Sequence, residues 1–243
     1  MIHWHIIEGE DGCRFAVEHS AVAVVVDALR ASATAAMLLD AGARELRVIR
    51  EVGEAFALHR RLPDALLFGE RGGLPPEGFD FGNSPREVQA ARDRQVIFTT
   101  TTGAGRLVSA WGAPALYLGT TINASAVARA AAAHNREVVL IPAGLTGDPD
   151  FDAQEDWAAA AAIAMAAGDI RLGEGSKAFL RWRDRIEAEG LETLFQTAPH
   201  AEKLRQAHLE ADIAFCAQID LTSALPKAVR RDRDAIVVRN GAP

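Results

Sequence analysis

Short apolar runs alternate with alanine- and leucine-rich stretches through the first two thirds of this chain, and polar residues gather where the short runs end. Val22 to Val26 (VAVVV) is a continuous run of mostly β-branched residues, the pattern of a strand covered on both faces. Glu45 to Ile49, Ala65 to Phe68, Gln95 to Thr99, Ala115 to Leu118 and Glu137 to Ile141 read as further strands. The stretches between them read as helices. One ends at Leu39 before Gly42, one spans Val52 to Leu62 before Pro63, and others span Arg86 to Arg92, Arg106 to Trp111, Asn123 to His134 and Gln154 to Ala167. Strands alternating with helices predict βαβ units, an α/β fold and a largely parallel sheet with right-handed crossovers.

The pattern changes at Gly168. Ser176 to Ala188 is amphipathic and rich in Arg and Trp. Helical pieces follow from Leu191 to Ala207, the segment Asp212 to Leu225 is mixed, and Ala235 to Arg239 (AIVVR) reads as a last strand. Residues 168–243 are expected to form a helical extension that folds back onto the sheet, within one domain spanning 1–243.

In open parallel sheets ligands bind outside the carboxyl ends of the strands. Asp27, Gly69-Glu70-Arg71, Thr99 to Thr102, Thr120 to Asn123 and Ala143 to Asp148 each follow a predicted strand. Their polar chemistry therefore points at one edge. The longest of these stretches is GERGGLPPEGFDFGNSP, Gly69 to Pro85, which glycine and proline keep from forming a regular element. Leu74, Phe79 and Phe81 supply apolar anchors that a solvated linker would not need, so an ordered site loop is expected. Asn83-Ser84-Pro85 reads as a cap and first turn for the helix after it.

With 243 residues the chain can bury a substantial core. Its 26 Lys and Arg against 33 Asp and Glu leave a net charge of −7 without a basic block, which argues against a nucleic-acid partner. Lys227, Arg230, Arg231 and Arg233 cluster, but Asp232 and Asp234 interrupt them, and a solvated turn is expected there. The two cysteines, Cys13 and Cys216, are far apart and suggest neither a disulfide framework nor a metal cluster. A reducing cytoplasm fits, no signal peptide is evident, and the run Trp157 to Ala167 is too short to span a bilayer.

Asp27, Glu70, Glu155 and Asp156 are the carboxylates at strand ends and helix starts. Such hard oxygen ligands suit Mg²⁺, which takes one or two carboxylates plus waters and phosphate oxygens. Glu155 and Asp156 read equally well as helix-dipole partners, whereas Asp27 follows five apolar residues and needs a partner or a metal. Arg30 and Arg71 are placed to grip an anion bidentately, or to pair with Glu70 or Asp80. Ser32, Thr100, Thr101, Asn123 and Ser125 lie near helix starts, where they act as caps or offer phosphate contacts; Asn83 and Ser84 join them. The seven histidines are scattered, and His3-x-His5 reads as a strand edge. No dinucleotide, Walker, nucleophile-elbow or zincin motif is present.

These motifs resemble the 2-phosphosulfolactate phosphatase family. The resemblance rests on VVVDALRASAT (Val24 to Thr34), the Gly69–Pro85 segment, the Thr99 to Thr102 run with Gly103, NASAVA (Asn123 to Ala128), Ala143-Gly144 with Gln154 to Asp156, and DIAFCAQID (Asp212 to Asp220). It implies a three-layer α/β/α phosphatase that requires Mg²⁺ and hydrolyses 2-phospho-3-sulfolactate to 3-sulfolactate and phosphate, toward coenzyme M. The family's Thr-Asn-Gly-Thr stands here as Thr101-Thr102-Gly103-Ala104, and family cysteines are replaced by Pro142 and by alanines after Trp157, so no catalytic cysteine is expected. Asp27, Arg30, Glu70 and Arg71 become the catalytic candidates. Metal-activated water and an aspartyl-phosphate both remain open. So do a phosphatase of another small phosphorylated hydroxy acid and a non-catalytic anion-binding protein of the same fold. A small phosphorylated acid is the expected partner, and a homodimer is compatible with the sequence.

Overall fold

Val22, Val24 and Val26 pack into one apolar cluster while Ala23 and Val25 pack into another, so this strand is covered on both faces. The computed structural model describes residues 2–148 and 150–241. In chain order its strands are β1 (His3–Ile6), β2 (Val22–Val26), β3 (Glu45–Val48), β4 (Leu66–Gly69), β5 (Gln95–Thr99), β6 (Leu116–Leu118), β7 (Val138–Pro142), β8 (Arg171–Leu172), β9 (Pro226–Asp232) and β10 (Ala235–Asn240). The helices are α1 (Gly9–Glu18), α2 (Ala31–Asp40), α3 (Val52–His59), α4 (Gly103–Ser109), α5 (Ala124–Ala132), α6 (Gln154–Ala166), α7 (Ser176–Glu189), α8 (Leu191–Gln196), α9 (Pro199–Gln206) and α10 (Glu210–Cys216).

All ten strands join one sheet in the order β4-β5-β3-β10-β9-β6-β2-β7-β1-β8. Two groups are parallel within themselves, β4-β5-β3 and β6-β2-β7-β1-β8. The β9–β10 hairpin joins them through three antiparallel pairings. An odd number of reversals means that the two groups run in opposite senses. Sheet twist of ~20–25° per strand pair accumulates to roughly 100° between β5 and β2. The curled sheet lets one apolar cluster enclose residues of α2 and α4 together with β2, β3, β5, β6 and β10. The opposite face of the second group carries α5, α6 and α7 around Trp4, Val24, Leu140 and Trp182. Helices thus flank a mostly parallel central sheet, and no helix among the described residues is long and apolar enough to cross a membrane.

Four local expectations are corrected. Residues 86–92 form turns and one short 3-10 segment, Gln89–Ala91, in place of an α-helix. The Ser84 hydroxyl donates to Asp212 at 2.8 Å and accepts from the Arg86 N–H only at 3.3 Å, so a distant element takes the would-be cap. Lys227 to Asp232 lie in strand β9, where a solvated turn was expected. Arg230 and Asp232 find opposite charges across the sheet, on Glu45 and Arg47 of β3. His3 and His5 lie on a strand flanked by β7 and β8, away from the sheet's edge. Leu74, expected as an anchor, is 55 % exposed. Phe81 stacks on Phe68 at 4.6 Å and Phe79 meets Phe56 edge-on at 5.4 Å, and these two rings hold the 69–85 loop.

Candidate active site

Strand ends from the two opposed groups meet at a cleft of about 150 Å³. A water needs roughly 10–15 Å³ by this measure, so the cleft has room for a small-molecule ligand. Asp27, Arg30, Glu70, Asn83, Thr101, Thr102, Gly144 and Asp156 line it from the sheet side. Leu29, Gly72, Gly73 and Leu145 complete that wall, and His200 and Lys203 face it from α9.

Backbone N–H groups hold the carboxylates of the floor. The Ala31 N–H donates to Asp27 Oδ1 at 3.0 Å, while Oδ2 has no hydrogen-bond partner among the described residues. A Cβ on Gly103 would stand 2.6 Å from that free oxygen, so glycine is what leaves it room. Asp156 accepts from the Ala28 N–H at 2.7 Å through one oxygen and from the Gly144 N–H at 3.1 Å through the other. Gly144 has φ +67°, which glycine adopts without strain and which aims its N–H at the carboxylate. Glu70 accepts from the Thr101 N–H at 2.6 Å, the Gly73 N–H at 2.9 Å and the Thr101 hydroxyl at 3.1 Å, closing the glycine-rich loop on itself.

Burial raises Asp27 above the ordinary carboxylate range, against the Ala31 hydrogen bond and with the charges of Glu70 and Glu155 adding to the rise. Asp156 is raised further by burial and by the charges of Glu155 and Asp27. Burial would lower His200, but its hydrogen bond to Glu155 and the charges of Glu155, Asp27 and Glu70 carry it above its usual value. The His200 Nδ1 to Glu155 Oε1 distance is 3.4 Å. The other oxygen of Glu155 is buried without a hydrogen-bond partner among the described residues.

Arg30 is 2 % exposed and donates to Asp212 at 2.6 Å and to the Gly73 carbonyl at 2.9 Å. Asp212 also accepts from Ser84, so one carboxylate of α10 fastens both the arginine and the end of the loop.

Several candidate residues lie outside the cleft lining. Arg71 donates to the carbonyls of Glu70 and Arg50 and to the Thr99 hydroxyl, which makes it a strut of the loop. Ser32 accepts from the Asp27 N–H and donates to the Val25 carbonyl. Thr100 accepts from the Ala104 N–H and caps α4. Asn123 closes a turn with Thr120 and donates to the Ala224 carbonyl. Ser125 donates to Asp220. In each case the side chain satisfies a nearby donor or acceptor first, as polar groups at chain reversals do.

Among the described residues no set of three or more His, Cys, Asp and Glu side chains is spaced to cage a metal ion. The donor chemistry fits a narrower site. Asp27 is a half-buried and Asp156 a buried oxygen ligand, and neither forms an ion pair with a described residue. Mg²⁺ is commonly held by one or two carboxylates, with waters and phosphate oxygens completing its shell. Glu70, bonded three times, and Glu155, turned toward His200, fit this role less well.

His200, Lys203 and Asp212 escaped the sequence reading. No spacing links them to the strand ends; the weak signal available was the DIAFCAQID segment that contains Asp212.

The sequence model of the family described as 2-phosphosulpholactate phosphatase matches residues 12–231. A Deinococcus radiodurans protein named "Probable 2-phosphosulfolactate phosphatase" is 38 % identical over 218 residues, covering 87 % of this chain and 89 % of its own. Proteins of the same name from Thermus thermophilus and Carboxydothermus hydrogenoformans are 35 % and 32 % identical, covering 90 % and 84 % of this chain and 92 % and 84 % of their own.

Proposed function

The chain belongs to the 2-phosphosulfolactate phosphatase family, and from that premise we propose that its cleft hydrolyses the phosphomonoester of a small hydroxy acid, 2-phospho-3-sulfolactate by analogy with the relatives' names. One observation carries the reading: Asp27 and Asp156, 129 positions apart in sequence, bring a half-buried and a buried carboxylate to one cleft that Arg30 also lines.

The roles follow from the contacts. Asp27 Oδ2 is the oxygen free to act at phosphorus, directly or through a water it orients. Its other oxygen is fixed by Ala31, so the carboxylate enters the reaction already aimed. Arg30 presents a cation whose rotamer is set by Asp212 and Gly73, a preorganised charge for the developing phosphoryl oxygens. The glycines 72 and 73 let the loop backbone come close to the ligand. Asp27 and Asp156 would hold Mg²⁺, which when bound supplies positive charge to the phosphate oxygens.

Hydrolysis of a panel of small phosphorylated hydroxy acids, with and without a sulfonate and with and without Mg²⁺, tests the proposal. Release of phosphate that requires Mg²⁺ and is lost in Asp27→Asn is expected. Absence of turnover across the panel at every divalent ion would refute it. Rapid acid quench with labelled phosphoester then separates an aspartyl-phosphate from direct attack by water.

A further inference from the structure

Three basic side chains line the cleft, and two are already committed. Arg30 is bonded to Asp212 and Gly73, and His200 is bonded to Glu155. Lys203 forms no ion pair with any described residue. Its ammonium stands 5.3 Å over the Phe151 ring, a contact that holds the side chain without neutralising it. His200 and Lys203 are three residues apart on α9, so they share a helix face.

The charge on the opposite wall makes this arrangement directional. Asp27, Glu70 and Asp156 occupy the sheet side of the cleft, and an anionic substituent turned toward them would meet like charge. The favourable direction for such a substituent is the rim, where the uncommitted cation sits. An ammonium is a compact point charge that accepts a sulfonate or carboxylate without demanding a planar fork.

On the reading of the cleft as a phosphomonoesterase, we propose that Lys203 is its specificity-determining residue: it binds the second, untransferred acid group of the substrate, so that the enzyme prefers phosphoesters carrying such a group. Lys203→Met keeps the aliphatic stem and removes the charge. The ratio of kcat/KM for 2-phospho-3-sulfolactate to that for p-nitrophenyl phosphate should fall about ten- to a hundredfold, the loss of one charged contact, and the loss should reside in KM. Lys203→Arg should recover most of the ratio. Phospholactate, which keeps the carboxylate and lacks the sulfonate, identifies the group bound: a parallel fall assigns the carboxylate, a fall confined to the sulfonated ester assigns the sulfonate, and either supports the proposal. An unchanged ratio overturns it.

Calorimetry separates this result from failure of the phosphatase reading itself. The affinity for 3-sulfolactate relative to inorganic phosphate should drop in Lys203→Met even if no ester is turned over. Wild-type protein that binds 3-sulfolactate no better than the variant, relative to phosphate, refutes the assignment.

Discussion

The floor and the rim of the cleft hold their charges by different means. On the floor, Asp27, Glu70 and Asp156 are fixed by backbone N–H groups of the turns that follow β2, β4, β5 and β7. On the rim and in the wall and loop around the floor, side chains are fixed by other side chains: His200 by Glu155, and Arg30 and Ser84 by Asp212. Backbone amides tolerate substitution around them, because every residue but proline supplies one. A side-chain clamp fails when either partner is lost. The floor should thus be robust in structure and fragile in chemistry, and the rim the reverse.

The strongest test of that contrast is Asp27→Asn. Its amide oxygen can still accept from Ala31, so the protein should fold, while kcat drops on the order of 10³-fold or more, as when a transition-state contact is removed. Because burial holds the Asp27 carboxylate above its ordinary value, its ionised form costs stability at neutral pH in metal-free buffer. The variant should therefore melt no lower than wild type there. The sign follows from linkage: a raised carboxylate binds its proton more tightly when folded, so the cost is full above the folded-state value and vanishes on acidification below the unfolded one. Any advantage of the variant in Tm should shrink as the pH falls. A variant that is unfolded by circular dichroism would place Asp27 with the structural clamps and break the contrast.

Asp212→Ala should act in the opposite sense. It removes the countercharge of buried Arg30 and the acceptor of the Ser84 hydroxyl, a loss of about 3–5 kcal/mol in denaturant unfolding. A loss under about 1 kcal/mol would mean that the loop and α10 are not coupled through this carboxylate. His200→Gln is expected to raise KM about tenfold with a smaller change in kcat, since one contact to a charged group is lost at the rim; a kcat effect as large as that of Asp27→Asn would move His200 to the floor. The smallest effect belongs to Ser125→Ala. Its hydroxyl bonds to Asp220 away from the cleft, so stability should drop by about 0.5–1.5 kcal/mol and steady-state kinetics should be unaltered.

The same contrast explains what could be read from the chain. Continuous β-branched runs marked β2 and β5 to the residue, because burial on both faces leaves an unbroken apolar signature. A carboxylate directly after such a run, Asp27, was visible for the same reason: a charge at the end of a buried strand needs an explanation. The local rules also marked Ser32, Thr100, Asn123 and Ser125 as polar groups at helix starts, but they could not say that Ser32 and Thr100 would spend their hydrogen bonds on their own turns, nor that Asn123 and Ser125 would reach Ala224 and Asp220. Strand β9 was hidden because its charged residues, Lys227, Arg230, Arg231 and Asp232, look solvated until Glu45 and Arg47 are brought alongside. The opposed running of the two parallel groups, and with it the cleft between them, depends on where the β9–β10 hairpin inserts. The pairings that bring Asp212 to Arg30, and His200 to Glu155, span 182 and 45 positions of sequence. Periodicity and capping are local and act within a few residues, so the sequence by itself determined the elements and the carboxylates at their ends. Contacts between distant segments have no local signature, so only the tertiary structure decided which cations face those carboxylates.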